Sequence, residues 1–185
     1  AMFAGTIMAI YEKDIKRLLA HSSVAQIGYI TLAFAIGTKA SIAAGFIHMF
    51  NHAIIKGGLF IAITSLGFYI QKRITINNLS GLGRTMPITF FCFVLCSLSL
   101  AGLPLTAGFI SKLYLIKATI SSDSIWIAIL ILISSALSVV YLWKMIEVMW
   151  MREGIKIAIK ENPTIYISLV IITFFNIYFG LDASL

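Results

Sequence analysis

The sequence SIAAGFIHMFNHAIIKGGLFIAITSLGFYI, from Ser41 to Ile70, is an apolar stretch that carries a single formal charge, on Lys56. A stretch of this length and hydropathy crosses a bilayer as a helix. A lysine near the bilayer centre costs about 2.5–3.5 kcal/mol on insertion scales, so a chain retains one where it faces protein or water. His48 and His52 precede Lys56 by two and one helical turns. The stretch therefore predicts a membrane-spanning helix and, at Lys56, an ion or proton pathway.

The composition extends this prediction to the whole chain. Hydrophobic residues make up 60% and charged residues 11% of the sequence, and the mean hydropathy is +1.00. Soluble domains contain roughly 45–50% apolar and about 25% charged residues. Only helices and closed barrels satisfy their backbone in hydrocarbon, and these stretches are too long for barrel strands. We predict an all-α polytopic membrane protein in which residues 1–185 form a single transmembrane helical domain.

The apolar stretches define the individual helices. Ala1–Tyr11 is apolar but too short to cross a bilayer. We interpret it as the truncated end of a helix, and the chain as a C-terminal fragment of a longer subunit. With this first helix, about six transmembrane helices are expected, one of them broken. The candidate spans are Leu18–Ile36, Ser41–Ile70, Ile88–Ile116, Ile125–Met151 and Thr164–Leu181.

The basic residues alternate between loops, which predicts a topology. The net charge of +7 lies mainly in these loops and does not indicate nucleic-acid binding. By the positive-inside rule the basic loops face the cytoplasm, which places the C-terminus on the periplasmic side of a bacterial inner membrane. The basic loops contain Lys13, Lys16 and Arg17, then Lys72, Arg73 and Arg84, then Arg152, Lys156 and Lys160. The other loops contain Lys39, then Lys117 and Asp123, and the tail contains Asp182.

His48, His52 and Lys56 are spaced i, i+4, i+8, so they lie on one helix face over roughly 12 Å. Imidazoles exchange protons near neutral pH, and a lysine can join them where its surroundings let it become neutral. The spacing predicts a proton relay, with Asn51 and Thr64 as further polar side chains. Either histidine alone could instead bond a neighbouring helix. Metal or haem binding by the pair is a weaker alternative, because no acidic or cysteine ligand accompanies it.

The stretch Leu98–Phe109, LSLAGLPLTAGF, predicts a break inside the fourth span. Pro104 removes a backbone donor, and Gly102 and Gly108 loosen the same stretch. Such breaks are tolerated where the freed backbone is buried in protein or lines a cavity. Lys112 follows the break by a little over two turns and is the second candidate for translocation. The alternative is a proline kink with Lys112 snorkelling outward.

Two charged residues are secondary candidates. Glu147 follows Lys144 by three positions near the end of the fifth span, and the two are predicted to pair on one helix face. This pair has either a structural or a transport role. Lys16, in the first basic loop, is the other secondary candidate, and a solvated turn is its plain interpretation.

The remaining polar residues of the spans receive structural interpretations. Cys92 and Cys96 are predicted to be small buried side chains, because their spacing suits neither a disulfide framework nor zinc. The serine pairs Ser22–Ser23 and Ser134–Ser135 are predicted to permit close helix contact. The sequence contains no nucleotide-binding loop, nucleophile triad or metal-cluster spacing, so no cofactor is predicted.

Four motifs occur along the chain: DIKRLLAHSSVAQIGYI (Asp14–Ile30), HMFNHAIIKGGLF (His48–Phe60), GLGRTMP (Gly81–Pro87) and SLAGLPLTAGFISK (Ser99–Lys112). Together they resemble the proton-conducting antiporter-like subunits. That family includes the L, M and N subunits of respiratory complex I and the A and D subunits of Mrp-type sodium/proton antiporters. With SSALSVVYLWKMIE and NIYFGLDAS, the chain is most similar to the Mrp D branch, and the complex I N branch is second.

The resemblance implies an architecture and roles for particular residues. The family contains two inverted repeats, each with a broken helix, and this chain corresponds to the second. Lys56 matches the central lysine of the relay, and His48 and His52 match its histidines. Lys112 matches the lysine beside the second broken helix, where the complex I M branch has an acidic residue, which weighs against that branch. The first repeat, with its glutamate–lysine pair, is not in this sequence.

The implied function is that of a membrane subunit of a monovalent cation/proton antiporter, which moves H+ or Na+ through a buried Lys/His relay and is no enzyme by itself. One alternative is a proton-pumping, N-like membrane-arm subunit of NADH-quinone oxidoreductase. Another is a remnant that conducts nothing. The expected partners are the lipid bilayer, H+ and Na+, and other subunits of a hetero-oligomeric complex, including a chain that carries the first repeat.

Overall fold

The computed structural model describes residues 1–68, 70, 73–154 and 162–181, and these residues form a helical bundle. Apart from an isolated bridge between Asp14 and Thr75, no strand occurs in them. A short 3-10 helix, Ile76–Leu79, lies between α3 and α4. The α-helices of the described residues are α1 Met2–Tyr11, α2 Ile15–Ile36, α3 Lys39–Gly67, α4 Leu82–Thr85, α5 Pro87–Ala101, α6 Ala107–Ile120, α7 Ile125–Met151 and α8 Pro163–Leu181.

The all-α membrane architecture predicted from the sequence is confirmed. Four helices within the described ranges, α2, α3, α7 and α8, are long and apolar enough to cross a bilayer. The 3-10 helix with α4 joins α5 at a bend of 120°, and together they would make a fifth span. Helix α1 has only 10 residues, fewer than a crossing requires.

Two predicted helix boundaries are wrong, each for a local reason. Helix α2 begins at Ile15 rather than Leu18, because the side chain of Asp14 accepts a backbone hydrogen bond of 3.1 Å and caps the first turn. Helix α3 ends at Gly67, although the apolar stretch continues to Ile70. Hydropathy marks what lies in the membrane but does not mark where a helix stops.

The span predicted at Ile88–Ile116 forms two helices, because the expected break interrupts it completely. Helix α5 ends in a Schellman motif: the backbone N–H groups of Gly102 and Leu103 donate to the carbonyls of Ser99 and Leu98 at 2.9 and 3.0 Å. Gly102 has a φ of +90°, a conformation that favours glycine. The chain then passes through a short non-helical segment before α6 begins. The break separates two short helices inside the bundle.

A tight turn places α3 directly against α2. Gly37 ends α2 with a φ of 74°. Thr38 and Ser41 then form a capping box, in which each side chain accepts a hydrogen bond from the other residue's backbone N–H, at 3.1 and 3.0 Å. Close contact follows, since a Cβ added to Gly45 would lie 3.0 Å from that of Ala33. The antiparallel pair brings the polar face of α3 against α2.

The three loops that the sequence marks as basic meet at one end of the bundle. Arg73 Nε donates to Asp14 Oδ2 at 2.6 Å, which joins the loop after α3 to the start of α2. Arg84 Nε donates to the carbonyl of Trp150 at 2.7 Å, which joins the same loop to the end of α7. The alternation of charge along the sequence therefore corresponds to the two ends of the fold. Lys72, Lys156, Lys160 and Asp182 lie outside the described residues.

Two apolar clusters form the core. The larger contains side chains from α2, α3, α5 and α7, among them Leu19, Leu59, Phe93 and Tyr141. The smaller lies among α2, α3, α6 and α7 and contains Tyr29, Ala33, Ala44, Leu115 and Ile131. Helices α2 and α3 contribute to both clusters, and they also carry buried polar side chains, which form part of the candidate site described below.

Candidate functional site

Helix α3 presents His48, His52 and Lys56 on one face. The two imidazole rings are stacked, with centroids 6.5 Å apart and 11° between their planes. His48 and Lys56 are buried, with exposed fractions of 3% and 6%, and His52 is half-buried. A continuous line of ionisable side chains therefore follows the helix axis inside the bundle.

Lys56 is bound to the second turn of α2. Its Nζ donates to the carbonyl of Leu19 at 2.7 Å and to the hydroxyl of Ser22. The same carbonyl accepts from the hydroxyls of Ser22 and Ser23 at 2.9 and 3.1 Å. Lys56 Nζ also lies 6.0 Å from the centroid of the Phe60 ring. Ser22, which the sequence marks only as a small packing residue, is thus a direct partner of the lysine.

His48 is fixed by partners on two other helices. Its Nδ1 is 2.8 Å from the hydroxyl of Ser111 on α6, and its Nε2 is 3.1 Å from Oε1 of Gln26 on α2. The ring of Tyr29 contacts the imidazole edge-to-face at a centroid distance of 5.6 Å. A histidine with both ring nitrogens occupied keeps its orientation. The bonding of His48 to neighbouring helices, an alternative that the sequence left open, is therefore observed.

His52 is held less firmly. Its Nδ1 is buried and has no hydrogen-bond partner among the described residues. The imidazole lies within electrostatic range of both Lys56 and Lys112. It is stacked on His48 along α3. His52 therefore occupies the position between the two lysines and has a ring nitrogen available to bond water or a neighbouring group.

Lys112 turns inward, toward the helix break. Its exposed fraction is 4%. Nζ donates to the carbonyls of Leu100 and Ala101 at 2.9 and 3.0 Å, and to the hydroxyl of Ser135 on α7 at 2.9 Å. It also lies 5.3 Å from the centroid of the Tyr29 ring. The alternative of a lysine snorkelling outward is therefore wrong.

The geometry of the break explains why Lys112 binds there. The Schellman motif occupies the carbonyls of Leu98 and Ser99 and leaves the last two carbonyls of α5 without an intrahelical donor. The C-terminal end of a helix also carries partial negative charge, which attracts a cation. Gly102 has no side chain to obstruct the approach: an added Cβ would lie 3.0 Å from Lys112 Cδ. The break thus supplies acceptors for the ammonium group.

A second polar group holds the start of α6 in place. The hydroxyl of Ser99 donates to Oδ1 of Asn176 on α8 at 2.7 Å and accepts from the backbone N–H of Gly108 at 3.1 Å. Asn51 Nδ2 donates to the carbonyl of Ala107 at 2.8 Å. These bonds tie both sides of the break to α3 and α8. They position the helix on which Lys112 and Ser111 lie.

Sequence reasoning missed several partners of the ionisable residues. Ser22, Gln26 and Tyr29 are spaced i, i+4, i+7 on α2, and this spacing could have identified a polar face toward α3. Ser135 belongs to a serine pair that the sequence assigned to helix packing. No local signal distinguishes a packing serine from one that binds a lysine, because the lysine comes from a distant part of the chain.

The two secondary candidates lie apart from this group. The predicted pair of Glu147 with Lys144 is wrong: Glu147 Oε1 lies 3.9 Å from Arg152 Nη2, a residue just beyond the end of α7. Both partners are substantially exposed, so the pair contributes little to stability. Lys16 is exposed in the first turn of α2, at the basic end. Neither residue has a described contact with the two buried lysines.

The described residues contain no group of three or more His, Cys, Asp or Glu side chains that could hold a metal ion. Cys92 and Cys96 are buried thiols, as predicted. The sulfur of Cys96 lies 3.9 Å from the hydroxyl of Thr173, at the contact between α5 and α8. Their surroundings fit a packing role.

Comparison with known sequences identifies relatives of the chain. Residues 1–138 match the family described as NADH:quinone oxidoreductase/Mrp antiporter, TM. The F420H2 dehydrogenase subunit N of Methanosarcina mazei is 35% identical over 157 residues, which cover 80% of this chain and 32% of the relative. The NADH-quinone oxidoreductase subunit N of Desulforudis audaxviator is 39% identical over 144 residues, which cover 77% of this chain and 28% of the relative.

Solved structures share the fold. A chain of the Mrp complex from Dietzia sp. has a TM-score of 0.91 and 22% identity over 99% of this chain and 42% of its own length, a likeness of fold alone. A chain of the membrane-bound sulfane sulfur reductase, an archaeal respiratory membrane complex, has a TM-score of 0.89 and 33% identity over 99% of this chain and 37% of its own. A chain of respiratory complex I from Thermus thermophilus has a TM-score of 0.81 and 26% identity over 100% of this chain and 42% of its own length.

These matches confirm the resemblance drawn from the four motifs. The relative from Desulforudis audaxviator is an NADH-quinone oxidoreductase subunit N, the second branch of that resemblance, and the relative from Methanosarcina mazei is the subunit N of an F420H2 dehydrogenase. The Mrp D branch is compatible with the family and the fold. The chain spans about a third of the length of the curated relatives it matches. The chain belongs to the NADH:quinone oxidoreductase/Mrp antiporter transmembrane family.

Proposed function

We propose that this chain moves protons within the membrane along the line Lys56, His52, His48 and Lys112, as part of an antiporter-like subunit. The observation that carries the proposal is the stack of two imidazoles, 6.5 Å apart, between two buried lysines. Ionisable side chains in a bilayer are costly, and by default they mark a pathway for ions or protons. Both lysines are bound to oxygen acceptors and both lie within electrostatic range of His52.

The half-buried His52 is the connecting group. His48 is held by Ser111 and Gln26, whereas one nitrogen of His52 is without a partner in the described residues. An imidazole can accept a proton on one nitrogen and release it from the other. A proton from either lysine can therefore pass through His52. Water, or a small rotation of a side chain, would connect the imidazole to the lysine.

Two kinds of assembly would use this relay. The first is a monovalent cation/proton antiporter, in which proton movement is exchanged for Na+. The second is the membrane arm of a respiratory complex, in which electron transfer in other chains drives the same proton step, and the subunit N names of the relatives favour it. In both, we expect partner subunits to be needed, including one that carries the first repeat. Copurified flavin and iron–sulfur absorbance would identify the second assembly, and their absence from an active complex the first.

We also propose that the basic end faces the cytoplasm of a bacterial cell and that the C-terminus lies on the other side of its inner membrane. Loops enriched in Lys and Arg remain on the cytoplasmic side, and here they contact one another. Cysteines introduced at Arg73 and Lys39, in a background lacking Cys92 and Cys96, should react with an impermeant reagent from opposite sides. Reaction from the same side would contradict this topology.

The relay is tested by Lys56→Ala in inverted membrane vesicles that contain the whole assembly. We expect proton movement to be abolished while the protein still inserts, because removal of the charge also removes its insertion cost. Lys13→Ala is the matched control, since it removes a lysine from the basic end, outside the line of buried groups. Normal proton movement in the Lys56→Ala vesicles would exclude the relay.

A further inference from the structure

A groove runs along the outside of the bundle between α3, α6 and α8. It consists of two adjoining cavities of about 280 and 310 Å³, which share Phe50 of α3 and Phe179 of α8 as a common wall. The rings of these two residues meet edge-to-face, with centroids 5.5 Å apart. The outer cavity also contacts α6, and the inner cavity lies beside Gly57. Together the two cavities form the α3–α8 groove.

One face of α3 forms the length of the groove and begins at a lysine. Its residues, separated by close to whole helical turns, are Lys39, Phe46, Phe50 and Gly57. Phe46 and Phe50 are each 55% exposed, so the groove is open at the surface of the bundle. From Phe46 to Gly57 the helix rises about 16 Å, which is about half of the hydrocarbon thickness of a bilayer. The groove therefore has the length of an acyl chain in one leaflet.

A second lysine lies at the mouth of the outer cavity. Tyr114 of α6 lines this cavity, and Lys117 follows it by three residues on the same helix face. Lys117 is exposed, and its Nζ lies 5.8 Å from the centroid of the Tyr114 ring. The first turns of α3 lie beside the last turns of α6, since Ala44 and Leu115 belong to one apolar cluster. Lys39 and Lys117 are therefore at the same end of the bundle.

The charge at this end favours an anion. Lys39 and Lys117 are positive, and Asp123 in the loop after α6 is negative, so these three residues have a net charge of +1. Basic residues near the membrane surface attract anionic lipid headgroups. A phosphate beside Lys117 would place the acyl chains of its lipid at the level of the outer cavity.

The walls of the groove suit hydrocarbon. The residues around the inner cavity are apolar, and Asn51 in the outer cavity already donates its amide to the carbonyl of Ala107 at 2.8 Å. Gly57 keeps the inner cavity open, because an added Cβ would meet no described atom within 4 Å beyond its own stretch of helix. A helix, about 10–12 Å in diameter, is too wide for cavities of this volume, whereas a single acyl chain is narrow enough.

We propose that the α3–α8 groove binds one acyl chain of an anionic phospholipid, and that Lys117, together with Lys39, binds the phosphate of that lipid. The acyl chain lies along α3, with its end beside Gly57. It covers the rings of Phe46 and Phe50, and burial of apolar surface drives its binding. This lipid site goes beyond the proton relay and does not depend on it.

The probe that tests the groove is phosphatidylglycerol with a photoreactive diazirine at the end of one acyl chain, added to the purified assembly in detergent. After illumination, peptide mass spectrometry should find the label on α3 near Gly57 and on α8 near Phe175. Gly57→Leu fills the inner cavity and should reduce this labelling about tenfold. Ala136→Leu is the matched control, since it adds a leucine to the exposed surface of α7, outside the groove, and should leave the labelling unchanged.

The lysines are tested by the probe concentration that gives half-maximal labelling. Lys117→Gln should raise this concentration about fivefold, because a basic residue near an anionic headgroup contributes on that scale. Lys144→Gln, which removes an exposed lysine of α7, should have no effect. A phosphatidylcholine probe with the same acyl chains should label the groove at higher concentrations and respond less to Lys117→Gln.

Three results would overturn the lipid site. Labelling that spreads equally over the exposed faces of α7 and α8, or that persists in Gly57→Leu, would show that the groove does not select the acyl chain. Absence of label from the groove would show that a partner subunit covers it. Equal half-maximal concentrations for the two lipid probes would exclude an anionic headgroup. Labelling does not require proton movement, so none of these results bears on the relay.

Discussion

The two buried lysines differ in the backbone that binds them. Lys112 meets the end of the broken helix α5, where two carbonyls have no intrahelical donor. Lys56 meets the carbonyl of Leu19 in the second turn of the intact helix α2, where the backbone N–H four residues later is the ordinary partner. A break therefore provides carbonyls that have no helical donor, whereas an intact helix shares a carbonyl that is already bonded within the helix.

The two histidines differ in how many hydrogen bonds hold their rings. His48 is held through both ring nitrogens, by Ser111 and Gln26, and contacts the ring of Tyr29. His52 is half-buried and has a nitrogen without a partner in the described residues. His48 is therefore firmly held, whereas His52, which lies between His48 and Lys56 on α3, is held more loosely. The fold holds both lysines and His48 through hydrogen bonds and leaves His52 able to adjust.

The largest effect is expected from Lys112→Arg. An arginine keeps the positive charge and can occupy the acceptors at the break, but it does not release its proton in proteins. The variant should fold and insert, yet lose most proton movement in vesicles. If Lys112→Arg moves protons normally while Lys112→Ala fails, the lysine acts through its charge alone and is no proton carrier.

Ser22→Ala should have an intermediate effect, because it removes the hydroxyl that binds Lys56. A hydrogen bond to a charged group contributes about 1.5–3 kcal/mol, and about 1.4 kcal/mol changes a rate tenfold. We expect proton movement to slow by about tenfold. Ser23→Ala is the matched control, since the hydroxyl of Ser23 bonds to the carbonyl of Leu19 without contacting the lysine. Equal losses in both variants would attribute the effect to helix α2 as a whole.

The smallest effect concerns the cap of the intact helix. Burial would raise the pKa of Asp14, but hydrogen bonds from the backbone of Arg17 and the side chain of Arg73 outweigh it, and the pKa lies below its ordinary value of 3.8. The carboxylate therefore stabilises the fold above that value, and the contribution is lost as pH falls through the lowered pKa.

Asp14→Ala should accordingly reduce the free energy of unfolding in detergent by about 1 kcal/mol at neutral pH, the usual value of an N-cap. The difference from the unsubstituted protein should shrink below pH 3.8. Asp14→Asn keeps a capping oxygen, so its free energy of unfolding should fall by less than that of Asp14→Ala. A loss that stays constant through the acid range would contradict the carboxylate's role.

Much of this arrangement could be predicted from the sequence, because it depends on local patterns. The break follows from Pro104 between two glycines, and the shared face of His48, His52 and Lys56 follows from helical periodicity. The location of the basic loops at one end of the bundle follows from their alternation with the other loops along the chain. These features need no knowledge of which helices are neighbours.

The partners of the lysines could not be predicted in the same way. Ser22 and Ser135 bond to lysines far along the chain, and a serine in an apolar helix can equally bond to its own backbone, as Ser23 does. Glu147 pairs with Arg152 because the chain leaves the helix at that residue with extended backbone angles. Such contacts are set by tertiary packing.

The central claim is that the histidine rings connect the two lysines, and His52→Phe tests it most directly. A phenyl ring can stack on His48 but carries no proton. Proton movement measured in inverted vesicles should fall to the level of Lys56→Ala, while His21→Phe, the same change outside the line, should leave it unaltered. Proton movement at the unsubstituted rate in His52→Phe vesicles would contradict the account.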